Sequence, residues 1–318
     1  MTDMIWRGVF PAVTTPFLES GALDLEGFAT QISRQLDAGV HGIVLGGSLG
    51  EASTLSPSEK LSLAKQALAV TSGRVPVLAG VADSSTLSAC RFAEDLASLG
   101  VQGLMVLPPL NYMADGDECI GHFRQIADAC GLDIMVYNNP VSYGIDVTPD
   151  QLAELAADPR FVAVKESSDD IRRLTDIRNL LDDRFQLFCG VDNLAFESLV
   201  TGADGWIAGL VCAYPRETVA LYNLTLNGCL NEARKLYRWF MPLLHLDVSA
   251  KLVQNIKAAM AFEGCGNEVV RLPRKALTGE ARTRVLGILE KAREDREQIE
   301  DILEMKDAEE VHSESQLC

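Results

Sequence analysis

Eight short runs of apolar, often β-branched residues recur along the first two-thirds of the chain, each followed by a stretch of helical periodicity. They are GVFPAVTTPF from Gly8, GIVLGG from Gly42, VPVLAGV from Val75, VQGLMVLPP from Val101, LDIMVYNNP from Leu132, FVAVKE from Phe161, FQLFCGVD from Phe185 and DGWIAGLV from Asp204. Their starts lie 34, 33, 26, 31, 29, 24 and 19 residues apart. Most of these gaps suit a strand followed by a helix of roughly 10–15 residues. Runs that are apolar on both faces fit parallel strands covered by helices. The pattern therefore predicts an α/β fold, a (β/α)8 TIM barrel. A doubly wound sheet would carry a glycine-rich phosphate loop after its first strand, but here that strand ends TTPF.

Between the runs, SPSEKLSLAKQALAVT offers Ser56 or Ser58 as a cap with Glu59 in the first turn, and Gly100 stops SSTLSACRFAEDLASLG. From about Arg216 only helical patterns follow. RETVALYNLTLNG closes the barrel; LNEARKLYRWFMPLLHL, SAKLVQNIKAAMAFEG and a last helix from about Thr278 to Met305 form a C-terminal helical extension. The expected division is a barrel over 1–228, the extension over 229–305 and a disordered polar tail over 306–318.

With 28 basic against 45 acidic residues the net charge is −17, which repels phosphate backbones and disfavours nucleic-acid binding. No apolar stretch reaches the length of a membrane span, and MTDMIWRGVF lacks a signal-peptide layout. The expected location is the cytoplasm. The eight cysteines stand singly, without a CxxC pair, and read as small buried hydrophobes. Four scattered histidines give no metal-ligand spacing, so no metal is expected.

In such barrels reactive groups sit at the C-terminal ends of strands. Strands five and six end there in Tyr137 and Lys165. A lysine at a strand end can simply snorkel into solvent. In a desolvated cavity, however, a lysine amine loses its proton more readily and can form imines with carbonyl substrates. Tyr137 is either a packed strand residue or a phenol that moves protons during imine chemistry. After strand two, GGSLGEASTL is a small-residue turn whose amides can hold a carboxylate, with Glu51 placed to favour the helix that follows. His245 and Asp247 read as capping or packing residues, Trp206 as core or interface, and Lys251 as a solvated helix face or an oligomer contact.

Together TTPF (Thr14–Phe17), GSLGE with ASTL (Gly47–Leu55), YNNP (Tyr137–Pro140), VKESS (Val164–Ser168), CGVD (Cys189–Asp192) and GADGWIAG (Gly202–Gly209) resemble the dihydrodipicolinate synthase / N-acetylneuraminate lyase family of class I aldolases. The resemblance implies a barrel with a C-terminal helical extension, a homo-oligomer (tetramer or dimer), and neither metal nor organic cofactor. It implies Lys165 as the Schiff-base lysine and Tyr137 as the catalytic tyrosine. Gly47, Ser48 and Leu49 become the cradle for the carboxylate of an α-keto acid, and Ile207 the apolar wall beneath its carbon chain.

Departures from the family's synthases bear on substrate. One of two adjacent loop hydroxyls is lost at Leu49. Leu110 replaces a relay tyrosine, with Tyr112 two residues on. Ser142, followed by Tyr143, stands where the synthase has an arginine for the carboxylate of aspartate semialdehyde, and a hydroxyl cannot replace a guanidinium clamp. YNNPVSYGID and YRWFMPLLHLDVSAKLVQNIK look more like the subgroup of hydroxyproline degradation. That likeness implies a hydrolase-type lyase: dehydration and deamination of 1-pyrroline-4-hydroxy-2-carboxylate to 2-oxoglutarate semialdehyde. The alternative is a pyruvate-dependent aldolase, either dihydrodipicolinate synthase-like or acting on 2-keto-3-deoxy sugar acids. A third reading is a binding protein that kept the fold and lost the chemistry. In every case the partner is a small α-keto or imino acid, and neither nucleic acid nor membrane.

Overall fold

The computed structural model describes residues 6–304. Its strands are β1 (Gly8–Pro11), β2 (Ile43–Leu45), β3 (Val77–Val81), β4 (Gly103–Val106), β5 (Ile134–Asn138), β6 (Phe161–Glu166), β7 (Gln186–Cys189) and β8 (Gly205–Ala208). Each falls inside one of the eight apolar runs. They pair in parallel in the order β1-β8-β7-β6-β5-β4-β3-β2. The remaining seam is closed by a parallel bridge between Ala12 and Val44, beside which the Val13 amide donates to the Val44 carbonyl at 3.0 Å. The fold is thus a (β/α)8 barrel with C-terminal helices, as the periodicity predicts.

The strand pleat sorts side chains between two apolar compartments. Phe10, Val44, Leu78, Met105, Met135, Phe188 and Ile207 fill the barrel interior. Val9, Trp206 and their counterparts face the helices, so Trp206 is core. Local signals hold as well. Ser56 caps the helix Pro57–Thr71, with its hydroxyl accepting from the Glu59 amide at 3.3 Å and the Glu59 carboxylate from the Ser56 amide at 2.9 Å. Gly100 ends the helix Thr86–Leu99 in a left-handed turn, φ 90°.

After β8 come the helix Pro215–Leu226, which closes the barrel, and then the extension helices Leu230–Leu244, Leu252–Phe262 and Gly279–Glu294. The expected single helix from Thr278 to Met305 is interrupted at Asp295–Arg296 and resumes over 297–304; Met305 and the tail lie outside the described residues. At the break Asp295 accepts from Lys291 Nζ at 3.0 Å and Arg296 pairs with Glu217 of the first of these helices. The turn brings Ile299, Ile302 and Leu303 onto the core. The cysteines are more exposed than expected: Cys119, Cys189 and Cys212 are buried, but Cys90, Cys130, Cys229 and Cys265 are half-buried on helix flanks and connecting turns, all free. Cys318 lies outside the described residues. No helix among those residues is long and apolar enough to cross a membrane.

Glu51 does not act at a helix start. It takes a left-handed conformation, φ 55°, makes no cap bond, and turns its side chain into the protein. There Glu51 Oε1 meets Lys257 Nζ at 2.6 Å, with the two side chains 0% and 2% exposed. Glu51 Oε2 accepts from the Arg271 amide at 3.1 Å, and Lys257 also donates to the Val269 carbonyl at 2.6 Å. Burial pulls the Lys257 ammonium below its usual range and the Glu51 charge acts the other way.

Removing one partner of such a pair strands the other charge in a dry site. Glu51→Gln is expected to destabilise the protein by about 3–5 kcal/mol, seen as a lower urea midpoint. Glu51→Gln combined with Lys257→Met should recover most of that loss; an undiminished deficit in the double variant would show that the pair is not the cause.

Candidate active site

Tyr137 and Lys165 stand side by side because they are paired in register across β5 and β6. The pleat sends both into the barrel mouth. Lys165 is 7% exposed, and its Nζ lies over the Tyr137 ring, 4.0 Å from the centroid. An aromatic face offers an amine attraction without a compensating carboxylate. The Tyr137 hydroxyl accepts from Asn139 Nδ2 at 3.0 Å.

The next register pair, Asn138 and Glu166, points outward and locks the two strands. Asn138 Nδ2 donates to Glu166 Oε2 and to Asp146 Oδ1, both at 3.0 Å, while its Oδ1 accepts from the Val147 amide at 2.8 Å. Glu166 Oε1 accepts from the Ser168 amide at 2.7 Å. Burial pushes the Glu166 carboxyl up, and the Asn138 and Ser168 donors work against that. On the other flank of Lys165, Gly190 is needed for close approach. A Cβ there would lie 2.7 Å from Lys165 Cε and overlap the Ser167 hydroxyl.

Lys165 opens into a cavity of about 590 Å³ whose lining includes Gly47, Ser48, Leu49, Tyr137, Ser142 and Ile207. The turn after β2 is wound tightly, with the Glu51 and Ala52 amides donating to the Ser48 and Gly47 carbonyls at 3.1 and 3.3 Å. The Thr15 hydroxyl pins it by donating to the Gly50 carbonyl at 2.7 Å. Tyr143 lies just behind the lining. Its hydroxyl bonds that of Ser48, and its ring meets Tyr137 edge-on at 6.0 Å. Burial and the neighbouring Tyr137 push the Tyr143 phenol up to about 12.

Tyr112 does not join this group. It is 53% exposed and absent from the lining. Leu110 packs against the barrel-interior cluster, and Asn111 then takes a left-handed conformation, φ 77°, that carries the chain outward.

The residues that sequence reasoning missed come from the extension. Asp247, Val248 and Ser249, on the turn between helices Leu230–Leu244 and Leu252–Phe262, line the cavity opposite the β2 turn. Asp247 packs its carboxyl against Gly209 and leaves Oδ1 unpaired in the lining, whereas His245 shares a hydrogen bond with Asn193 Nδ2 at 3.0 Å. Lys251 is exposed at the N-terminal end of the following helix. The only signal in the sequence was that HLDVSA interrupts the helical pattern of the extension. Beneath Asp247, Asp192 is fully buried and accepts from Trp206 Nε1 at 2.9 Å, the Gly209 amide at 3.1 Å and the Leu210 amide at 2.7 Å. Burial raises the Asp192 carboxyl, and these donors act the other way. Among the described residues no group of three or more His, Cys, Asp or Glu side chains is placed to hold a metal ion.

Residues 5–292 match the sequence profile described as the dihydrodipicolinate synthetase family. The chain is 32% identical over 293 residues to a 4-hydroxy-tetrahydrodipicolinate synthase of an Exiguobacterium species, covering 92% of this chain and 100% of that one. It is 34% identical over 272 residues to the Methanospirillum hungatei protein of the same name, covering 85% and 93%. The solved 4-hydroxy-tetrahydrodipicolinate synthase of Methylacidiphilum fumariolicum superposes with a TM-score of 0.89 at 27% identity, over 93% of this chain and 99% of that one. The chain belongs to the dihydrodipicolinate synthetase family.

Proposed function

We propose that the protein is a class I lyase that binds pyruvate, or the pyruvate half of a larger 2-oxo acid, as an imine on Lys165. The observation that carries this reading is the amine of Lys165, buried in the cavity mouth against the Tyr137 ring. The amine attacks the C2 carbonyl and water leaves. The protonated imine withdraws electrons, a C3 proton departs, and the resulting enamine attacks an aldehyde; cleavage is the reverse. Tyr137 moves the protons, the Ser48 and Leu49 amides hold the carboxylate, and Ile207 supports the carbon chain. The family match supports pyruvate-dependent aldolase chemistry.

The other half of the substrate is read from charge. Lys165 is the only cation among the described residues lining the cavity, and Ser142 contributes a hydroxyl. A second carboxylate would find no guanidinium there. This favours an uncharged, hydroxylated distal half, as in 2-keto-3-deoxy sugar acids, over aspartate semialdehyde. The same neutrality also suits 1-pyrroline-4-hydroxy-2-carboxylate, which has one carboxylate. Deamination of that ring, by imine exchange onto Lys165, loss of the C4 hydroxyl and hydrolysis, is the second reading. A homo-oligomer acting in the cytoplasm completes the proposal.

Borohydride reduction in the presence of pyruvate should leave a covalent adduct on the wild type, detected by intact mass, and none on Lys165→Ala. An unmodified wild-type protein would sink the imine reading. Ser142→Arg supplies the missing cation and should lower KM for aspartate semialdehyde by about tenfold, equivalent to about 1.4 kcal/mol. An unchanged or higher KM would show that position 142 does not meet that end of the substrate.

A further inference from the structure

We propose that Asp247 is a catalytic acid of this site, giving its proton to the oxygen on C4 of the imine-bound substrate. The proposal rests on the reading of Lys165 as the imine-forming lysine and adds a residue from outside the barrel strands.

Asp247 Oδ1 is buried, lies in the lining of the Lys165 cavity and has no hydrogen-bond partner in the protein. A buried carboxyl oxygen left unpaired is costly, and such atoms are retained where a ligand completes them. The carboxyl sits directly on Gly209, where a Cβ would overlap it, so the end of β8 is shaped to admit this side chain. Ile207, beneath the carbon chain in the proposed mode of binding, is two residues earlier on the same strand. A chain attached at Lys165 and running over Ile207 therefore brings the carbon beyond C3 beneath Asp247.

The protonation state follows from the neighbours. Asp192 receives the Trp206, Gly209 and Leu210 donors, which favour its charged form against the larger effect of burial. Asp247 has no such donor on Oδ1. Burial and the Asp192 charge hold it well above the usual carboxylate range, while the Lys165 charge acts the other way. Asp192 and Lys165 are the charged groups that act on it, and His245 on the same turn is engaged with Asn193. Burial of this kind favours the protonated carboxyl, and a protonated carboxyl can donate to a substrate oxygen.

In the aldol direction the enamine forms the C3–C4 bond, the aldehyde π pair moves to oxygen, and that oxygen takes the Asp247 proton to become the C4 hydroxyl. In dehydration the C4–O bond breaks, its pair leaves on oxygen with the Asp247 proton as water, and a C3–C4 double bond forms. Either way Asp247 is left as carboxylate and regains its proton from solvent, or from the substrate in the reverse reaction.

The test compares wild type with Asp247→Asn, which can still hydrogen-bond but has no proton to give. Pyruvate has no C4, so its borohydride adduct should form equally on both. With 2-keto-3-deoxygluconate and 1-pyrroline-4-hydroxy-2-carboxylate as probes, kcat for whichever one the wild type converts should fall about 10²–10⁴-fold in the variant. The fall of wild-type kcat at high pH, where Asp247 loses its proton, should also vanish. A variant within about threefold of wild type, or a wild type that traps pyruvate but converts neither probe, overturns the role of Asp247 and leaves the imine reading intact. A wild type that traps no pyruvate overturns both.

Discussion

The site depends on the buried pair of Glu51 and Lys257. Glu51 ends the turn that carries Gly47, Ser48 and Leu49, whereas Lys257 belongs to the helix Leu252–Phe262 that follows the Asp247 turn. A contact of 2.6 Å between two fully desolvated charges has one acceptable geometry, because any slippage leaves each without its partner. The pair therefore fixes the extension against the barrel mouth. Arg271 strengthens the same seam. Its amide donates to Glu51, and its guanidinium takes both oxygens of Glu59 at 3.0 and 2.5 Å, holding that capping carboxylate at about 2. Two walls of the cavity, 200 residues apart in sequence, are held together by ionic contacts outside it.

Inside the cavity the charge distribution has the opposite character. Lys165 meets an aromatic face, and the acids nearby are kept from pairing with it in different ways. Asp192 is occupied by three N–H donors of the β8 region, while Asp247 is pushed towards its neutral form by burial and by Asp192. Lys257 is held in place by the Glu51 carboxylate and the Val269 carbonyl, each at 2.6 Å. Lys165 has no such carboxylate partner among the described residues, and an amine proposed to attack a carbonyl needs that freedom. One lysine thus bolts the fold together and the other is the proposed reagent, and the difference lies in what faces each amine.

How much of this was legible in the sequence follows from the range of each signal. Strand positions, the Ser56 cap and the Gly100 stop are local, set by periodicity and by residues within one turn, and the structure reproduces them. The Tyr137–Lys165 juxtaposition follows once the strands are counted, because residues at the ends of neighbouring barrel strands share the mouth. Glu51 was misread because its partner lies 206 positions away and only a left-handed turn exposes it to that partner. The place of Asp247 in the cavity lining was hidden for a similar reason: a polar residue between two helices reads as a cap or packing residue until the packing of the extension sets it against Gly209. The break at Asp295–Arg296 depends likewise on Glu217, which lies 79 positions earlier.

The departures from the family's synthases form a consistent set when placed in space. Leu110 withdraws a phenol from the barrel mouth and Asn111 sends Tyr112 into solvent, yet Tyr143 brings a hydroxyl to Ser48 and a ring to Tyr137 from the short helix after β5. Phenol chemistry near Ser48 is kept, but supplied from a different segment. At the same time Ser142 places a hydroxyl where those synthases carry a positive charge, and Asp247 places an unpaired carboxyl oxygen in the lining. On the proposed reading, each change disfavours an anion beyond the first carboxylate and favours hydrogen bonds to hydroxyls. A desolvated site built to bond hydroxyls discriminates strongly against analogues that leave those groups unpaired, so on the proposed reading the hydroxylated end of the substrate is selected by polarity and charge is reserved for the carboxylate end.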